Sequence, residues 1–91
     1  MISAGHKHSA CKALAKHVFA EGCQFVVREE SITPGQRFRF NLEGLEPVIG
    51  TVRWVVQDRI GFAFDRPLNH KSQDALARHC RSVLGLDLYL A

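Results

Sequence analysis

Three soft donors near the start of the chain come closest to a metal-site pattern. His6, His8 and Cys11 are spaced as HxHxxC, and imidazole and thiolate groups bind zinc, nickel and copper. A fourth ligand would have to come from His17 or from far along the chain, whereas specific zinc motifs have paired donors at both ends. We therefore predict no metal site. Residues 1–10 are small and polar and have no periodicity, which predicts a flexible tail.

The arginines are a second set of residues with chemical potential. Six of them lie on or beside stretches that alternate as strands do: Arg28, Arg37, Arg39, Arg53, Arg59 and Arg66. Guanidinium groups bind phosphate and carboxylate through forked hydrogen bonds. We predict that Arg37, Arg39, Arg53 and Arg59 form a protein-interaction surface on the outer face of a sheet, together with the exposed side of a helix. The alternative is that they are only the solvated side of a half-buried sheet.

No set of residues has the pattern of a catalytic site. The chain has histidines and cysteines, but no nucleophile stands at a recognisable spacing from a base, and no loop has the pattern that holds phosphate. His79 and Cys80 are adjacent, so on a helix their side chains project about 100° apart. This spacing predicts a half-buried pair where a helix meets the rest of the fold. We predict a protein that is not an enzyme.

Length and composition indicate one small soluble domain. The 91 residues carry a formal net charge of +3, and 46% are hydrophobic and 23% charged, which are ordinary values for a folded domain. The three cysteines form no CxxC pair and suit a reducing compartment. Apolar runs are far shorter than the ~20 residues of a membrane span, and MISAGHKHSACK lacks the apolar region of a secretory signal. We therefore expect a cytoplasmic protein.

The stretch at residues 47–65, PVIGTVRWVVQDRIGFAFD, predicts the central hairpin of the fold. Its β-branched and aromatic residues alternate with others on a period of two, and Asp58-Arg59 interrupts the alternation as a turn would. The predicted buried face comprises Val48, Gly50, Val52, Trp54 and Val56 in the first strand and Ile60, Phe62 and Phe64 in the second.

Shorter strand patterns precede this hairpin, and a helix pattern follows it. Residues 23–28 and 37–42 alternate, and Pro34-Gly35 between them predicts a type II turn. Residues 11–19 fit either the start of a helix or an imperfect strand. Residues 68–83 show helical spacing, with Asn69 as N-cap and Gly85 as stop, and 86–91 form a last strand or a docking segment. About five antiparallel strands and one helix predict a small barrel capped by the helix.

Several of these segments together resemble the PilZ domain family. The resemblance lies in the order and spacing of GCQFVV, then TPGQRFRFNLEGLEPVIGTVRWV, then RIGFAFDRPL, and it covers roughly residues 11–80. The matching features are Gly22, Pro34-Gly35, the GTVRW segment at 50–54, the IGFAF segment at 60–64 and Pro67-Leu68. The resemblance implies a mainly β fold: a six-stranded antiparallel barrel with a C-terminal helix, here one domain at residues 11–91. It also implies a bacterial receptor for the second messenger cyclic di-GMP.

The family's nucleotide site rests on two motifs, and this sequence departs from both. An RxxxR before the first strand grips phosphate and guanine, but no arginine precedes Cys11. A (D/N)xSxxG at the end of that strand reads the base, but here it is HxFxxG: His17 and Phe19 replace the polar residues, and Gly22 remains. Phenylalanine has no group that could hydrogen-bond a guanine edge. Family members without these motifs are interaction modules in type IV pilus or motility signalling, which predicts binding through protein contacts.

The sequence also allows two alternatives to binding through protein contacts. Cyclic di-GMP could be held by the basic groups of the tail, His6, Lys7, His8 and Lys12, near His17 and Gly22, with Arg28 or Arg53 contributing from the barrel. The chain could also be a small nucleic-acid-binding barrel that stacks bases on exposed aromatic rings. Five of the six phenylalanines follow the buried alternation, which leaves few rings for that role.

Overall fold

The computed structural model describes residues 10–28, 31–81 and 85–91. Within these residues the elements are β1 (Cys11–Lys16), β2 (Gly22–Val27), β3 (Arg37–Phe40), β4 (Val48–Val56), β5 (Arg59–Phe64), the helix α1 (His70–Arg78), a 3-10 turn (His79–Arg81) and β6 (Leu86–Leu90). The segment at 11–16, whose sequence fits either a helix or a strand, is therefore a strand. Residues 86–90 form the last strand rather than a loose docking segment. Of the tail predicted at residues 1–10, only Ala10 is described, and it is exposed; the predicted helix position Val83 lies outside the described residues.

The strands close into an antiparallel barrel in the order β1-β2-β5-β4-β3-β6, with β6 paired back to β1. Closure gives every strand two neighbours, so that no open sheet edge is left for another chain to pair with. The six-stranded barrel with its C-terminal helix confirms the predicted fold class. None of the helices in the described part of the chain is long and apolar enough to cross a membrane.

Phenylalanine side chains fill the centre of the barrel. Phe25, Phe40, Phe62 and Phe64 contact one another edge to face or tilted, with ring centroids 5.5 to 6.3 Å apart. Such aromatic pairs add about 0.5–1.5 kcal/mol each beyond the area they bury. The predicted inward alternation of these residues is confirmed.

Strand β4 departs from its predicted alternation at one position. Val48, Gly50 and Val52 face the interior as predicted, but a bulge between Val52 and Trp54 inserts Arg53 as an extra residue. A bulge shifts the alternation by one residue. Trp54 and Val56, predicted to be buried, therefore face outward and are 38% and 61% exposed.

The turn at Pro34-Gly35 and the N-cap of the helix follow their sequence signals, whereas the turn predicted at Asp58-Arg59 lies one residue earlier, at Gln57 and Asp58, and Arg59 begins β5. Gly35 has φ of 95°, and the amide of Gln36 donates to the carbonyl of Thr33, as the predicted turn at Pro34-Gly35 requires. Asn69 caps α1, because its side-chain oxygen accepts a hydrogen bond of 2.8 Å from the amide of Ser72. Gly85, the predicted helix stop, does not end the helix, because α1 ends at Arg78 with His79 as its C-cap; Gly85 instead has φ of 72° and directly precedes β6.

Candidate binding surface

The loop between β1 and β2 carries the HxFxxG segment. His17 has φ of 50°, in the left-handed region, and the amide of Phe19 donates a hydrogen bond of 2.8 Å to the carbonyl of Gly22. The chain therefore makes a tight turn here, at the end of the first strand. The Phe19 ring is 63% exposed, although phenylalanine has no polar group for solvent to bind. The loop thus presents an apolar side chain where a base-reading loop would present a hydroxyl.

Gly22, which remains from the motif, has a packing role within the barrel. It pairs with Ala63 across β2 and β5, and a Cβ atom at Gly22 would collide with the backbone carbonyl oxygen of Phe62. Only glycine allows the two backbones to approach this closely. The presence of glycine at this position therefore needs no nucleotide to explain it.

The variant Gly22→Ala is expected to lower the free energy of unfolding by about 1–3 kcal/mol, because the added methyl forces β2 away from β5. Urea denaturation of the variant and the unmodified chain would measure the difference. A change close to zero would show that the barrel can relax around the methyl group, and that packing is not the reason for glycine at this position.

Two rows of outward side chains run across β1, β2, β5 and β4, since directly opposed residues of an antiparallel pair lie on the same face. The rows are Lys16–Gln24–Gly61–Trp54 and Leu14–Val26–Arg59–Val56. We call these eight residues, with the neighbouring Phe19 and Arg53, the Trp54 face.

Trp54 and Phe19 line a small notch on this face. The indole lies directly over Gly61, where a Cβ atom would collide with its ring. The notch has a volume of about 240 Å³, and His17, Gln24 and Arg53 also line it. This is below the ~300–1,000 Å³ typical of small-molecule pockets. It suits a single large side chain better than a dinucleotide.

The predicted interaction arginines fall into two groups. Arg53, on the bulge, and Arg59 belong to the Trp54 face, and Arg59 donates a hydrogen bond of 3.1 Å to the side-chain oxygen of Gln24. Arg37 and Arg39 project outward from β3, and each contacts another residue of the barrel. Arg37 donates to both carboxylate oxygens of Asp65, at 3.2 and 2.6 Å, and Arg39 lies 5.1 Å from the ring centroid of Tyr89.

The structure does not bring together the cations that the sequence proposed for holding cyclic di-GMP. Lys12 forms an ion pair of 2.7 Å with Asp87 across β1 and β6. Arg28 is exposed directly after β2. The tail residues His6, Lys7 and His8 lie outside the described residues. The described part of the chain contains no cluster of three or more candidate metal ligands.

The pairing of Arg37 with Asp65 has a measurable consequence. Hydrogen bonds from Arg37, and then its charge, hold the pKa of Asp65 below its ordinary value. A carboxyl group with a lowered pKa in the folded state stabilises the fold above its ordinary pKa of about 3.9, and this contribution is lost as pH falls through the lowered value.

In Arg37→Ala the pKa of Asp65 is expected to rise towards its ordinary value, as measured by NMR titration of the carboxyl group. Arg66→Ala is the matched control and should have a smaller effect, because Arg66 contributes only the smallest of the influences on this carboxyl. Equal shifts in the two variants would contradict the assignment to Arg37.

A wider groove lies on another part of the barrel, with a volume of about 850 Å³. Residues 44–49 form one wall and residues 65–69 with Ser72 form the other. None of the predicted site residues lines it, and both Asp65 and Arg66 do, so that its charge is mixed. It offers no set of cations for an anionic ligand.

The half-buried pair predicted at His79 and Cys80 lies on the 3-10 turn, where Cys80 packs against the core. Burial, and secondarily the charge of Cys80, raises the pKa of the Cys23 thiol well above its ordinary range. Cys23 therefore stays protonated at neutral pH and is a poor nucleophile. His79 Nδ1 is buried without a hydrogen-bond partner among the described residues.

Sequence reasoning missed the two residues that define the notch. The alternation predicts Trp54 in the interior, and the HxFxxG segment indicates only that Phe19 cannot hydrogen-bond a guanine edge. The available signals were a phenylalanine at an otherwise polar motif position and a glycine, Gly61, in the strand that pairs with Trp54. Glycine opposite a large aromatic residue is typical of a ring lying flat over a strand.

Comparison with known proteins completes these observations. The family model of the PilZ domain matches residues 9–82. No curated protein and no solved structure matches the chain significantly. PilZ domains are non-catalytic binding modules of cyclic di-GMP pathways. The closed barrel, the C-terminal helix and this match agree: the chain belongs to the PilZ domain family.

Proposed function

We propose that this chain is a binding module of cyclic di-GMP pathways that acts through protein contacts and does not itself grip the nucleotide. The observation that carries the proposal is the loop at 17–22. Its motif positions hold His17 and an exposed Phe19, and its glycine is explained by packing against Phe62.

The missing arginine pair supports the same proposal. Two forked, charge-assisted contacts of ~1.5–3 kcal/mol each correspond to about two to four decades of affinity for a doubly anionic ligand. Lys12, the first cation of the described chain, is paired with Asp87 and would have to break that ion pair to replace them. Arg53 is exposed, but it borders a notch lined by Phe19 and Trp54.

Calorimetry with cyclic di-GMP on the purified chain tests the proposal. We expect no binding heat at ligand concentrations of ~10–100 μM, because a loss of about two to four decades in affinity raises the dissociation constant above these concentrations. A low-micromolar or tighter dissociation constant would overturn the proposal. In that case a variant lacking residues 1–10 should be measured, since loss of binding with an intact barrel would identify the tail as the source of the replacement cations.

A further inference from the structure

The Trp54 face combines exposed and half-buried apolar side chains with cations, and none of its ten residues is acidic; the exposed Glu21 and Asp58 border it in the loop before β2 and in the β4–β5 turn. Its apolar members are Leu14, Phe19, Val26, Trp54 and Val56, and its cations are Lys16, Arg53 and Arg59. Phe19, Trp54 and Val56 are the exposed large apolar residues of this face, and exposed apolar groups gathered on one surface are a feature of interaction sites.

The cations of this face differ in their pairing from those on the opposite side of the barrel. There, Lys12 pairs with Asp87 and Arg37 pairs with Asp65. Within residues 10–28, 31–81 and 85–91, neither Lys16 nor Arg53 nor Arg59 forms an ion pair. Ion pairs thus neutralise Lys12 and Arg37, and Arg39 lies over the Tyr89 ring, whereas within the described residues no carboxylate pairs with the three cations of the Trp54 face.

We propose that the Trp54 face docks an acidic segment of a partner protein, with one large apolar side chain of that segment seated in the notch between Phe19 and Trp54. This inference rests on the proposed function and specifies the partner's chemistry. The unmatched cations supply the charge complementarity, because carboxylates of the segment can reach Arg53, Lys16 and Arg59 around the notch. The apolar side chain of the segment packs between the Phe19 ring and the Trp54 indole and shields both from water, as the central anchor residue of an interface does.

The size and chemistry of the face favour a peptide over other anionic partners. The notch of about 240 Å³ holds one side chain. Nucleic acid would use aromatic platforms for successive bases, whereas Leu14, Val26 and Val56 are aliphatic and suit a side-chain contact. An anionic membrane surface also combines apolar and acidic groups. Comparing acidic peptides with vesicles of anionic phospholipid distinguishes the two partners.

Trp54 is the sole tryptophan of the chain, so its fluorescence reports occupancy of this face directly. The probes are two tryptophan-free synthetic peptides of Asp, Glu, Leu and Phe, one with alternating and one with helical apolar spacing. A matched pair in which Lys replaces the acids serves as control. We expect an acidic peptide, and neither lysine peptide, to shift the Trp54 emission to shorter wavelength with saturation at or below ~1 mM, the weak end of measurable affinity.

Charge reversal then tests where the acids bind. Arg53→Glu is expected to weaken binding of the acidic peptide about tenfold or more, and to gain binding of the lysine peptide, because like charges across an interface repel. Arg66→Glu, an equal charge change on an exposed residue outside this face, should leave both affinities unchanged. Both residues are exposed, so neither variant is expected to disturb folding.

Each outcome decides the proposal. An acidic-peptide shift that is lost in Arg53→Glu and kept in Arg66→Glu supports it. No shift with either acidic peptide overturns it, and so does a shift that the lysine peptides also produce or that Arg53→Glu leaves unchanged. When vesicles of anionic phospholipid are titrated in place of the peptides, a shift produced by the vesicles alone overturns it as well. The proposed function is judged separately by calorimetry: silent nucleotide titrations with no peptide binding would remove this face as the docking site while the proposed function stands.

Discussion

Phe25→Ala is expected to lower the free energy of unfolding by about 3–5 kcal/mol, whereas Phe19→Ala should change it by no more than about 0.5 kcal/mol. The two substitutions remove the same atoms from opposite environments. Phe25 is fully buried and contacts Phe40 and Phe62 edge to face, at centroid distances of 5.6 and 5.5 Å. Phe19 is 63% exposed on the loop before β2.

Urea denaturation followed by Trp54 fluorescence measures both effects in one experiment. Small domains have total stabilities of about 5–15 kcal/mol, so Phe25→Ala can leave part of the chain unfolded without denaturant. Phe25→Leu keeps most of the side-chain volume and should lose less, which keeps the comparison measurable. Equal losses for Phe25→Ala and Phe19→Ala would contradict the placement of Phe19 on the surface.

Phe19→Ala also separates folding from binding. The variant should retain its stability while binding the acidic peptides more weakly, because the ring forms one wall of the notch. Simultaneous loss of stability and binding would instead indicate that Phe19 belongs to the core. The contrast therefore assigns a role to a residue that sequence comparison alone marks only as a departure from the family motif.

Much of the barrel could be predicted because its signals are local. The alternation around Phe38, Phe40, Phe62 and Phe64 sets the inward face, since side chains of a strand alternate strictly between faces. The turn at Pro34-Gly35 and the cap at Asn69 follow from backbone preferences of those residue types. The order of these signals also sufficed for the family resemblance.

The bulge in β4 could not be predicted, because it depends on pairing between strands. The run Val52-Arg53-Trp54-Val55-Val56 alternates equally well with or without an inserted residue. What selects the bulge is the partner strand, in which Gly61 offers space for the Trp54 ring and Ile60 pairs with the half-buried Val55. A shift of one residue moves every following side chain to the other face.

The sequence predicts that the arginines lie on the outer face of the sheet, but it does not predict which residues they contact. Sequence alone treats Arg37, Arg39, Arg53 and Arg59 as one set, since all lie on or beside predicted strands. Their pairing depends on neighbours distant in sequence: Asp65 for Arg37, Tyr89 for Arg39 and Gln24 for Arg59. Only Arg53 combines exposure with a position on the notch, which is why it carries the charge-reversal test.

Leu76→Ala is the second substitution with a large expected effect, a loss of about 2–5 kcal/mol in the free energy of unfolding. Leu76, a residue of α1, is fully buried and belongs to the same apolar cluster as the barrel interior. Its removal leaves a cavity at the junction of helix and barrel, and the cost of that cavity adds to the lost burial. The helix is then a structural part of the domain, and only its solvent side remains for a partner.

Leu90→Ala is the matched control, because Leu90 lies at the end of β6 and is 68% exposed. It should change the free energy of unfolding by no more than about 0.5 kcal/mol. Urea denaturation of the two variants then compares the same substitution at a buried and at an exposed leucine. If Leu76→Ala costs no more than Leu90→Ala, the helix does not seal the barrel. Its apolar side would then be a second candidate for partner contact beside the Trp54 face.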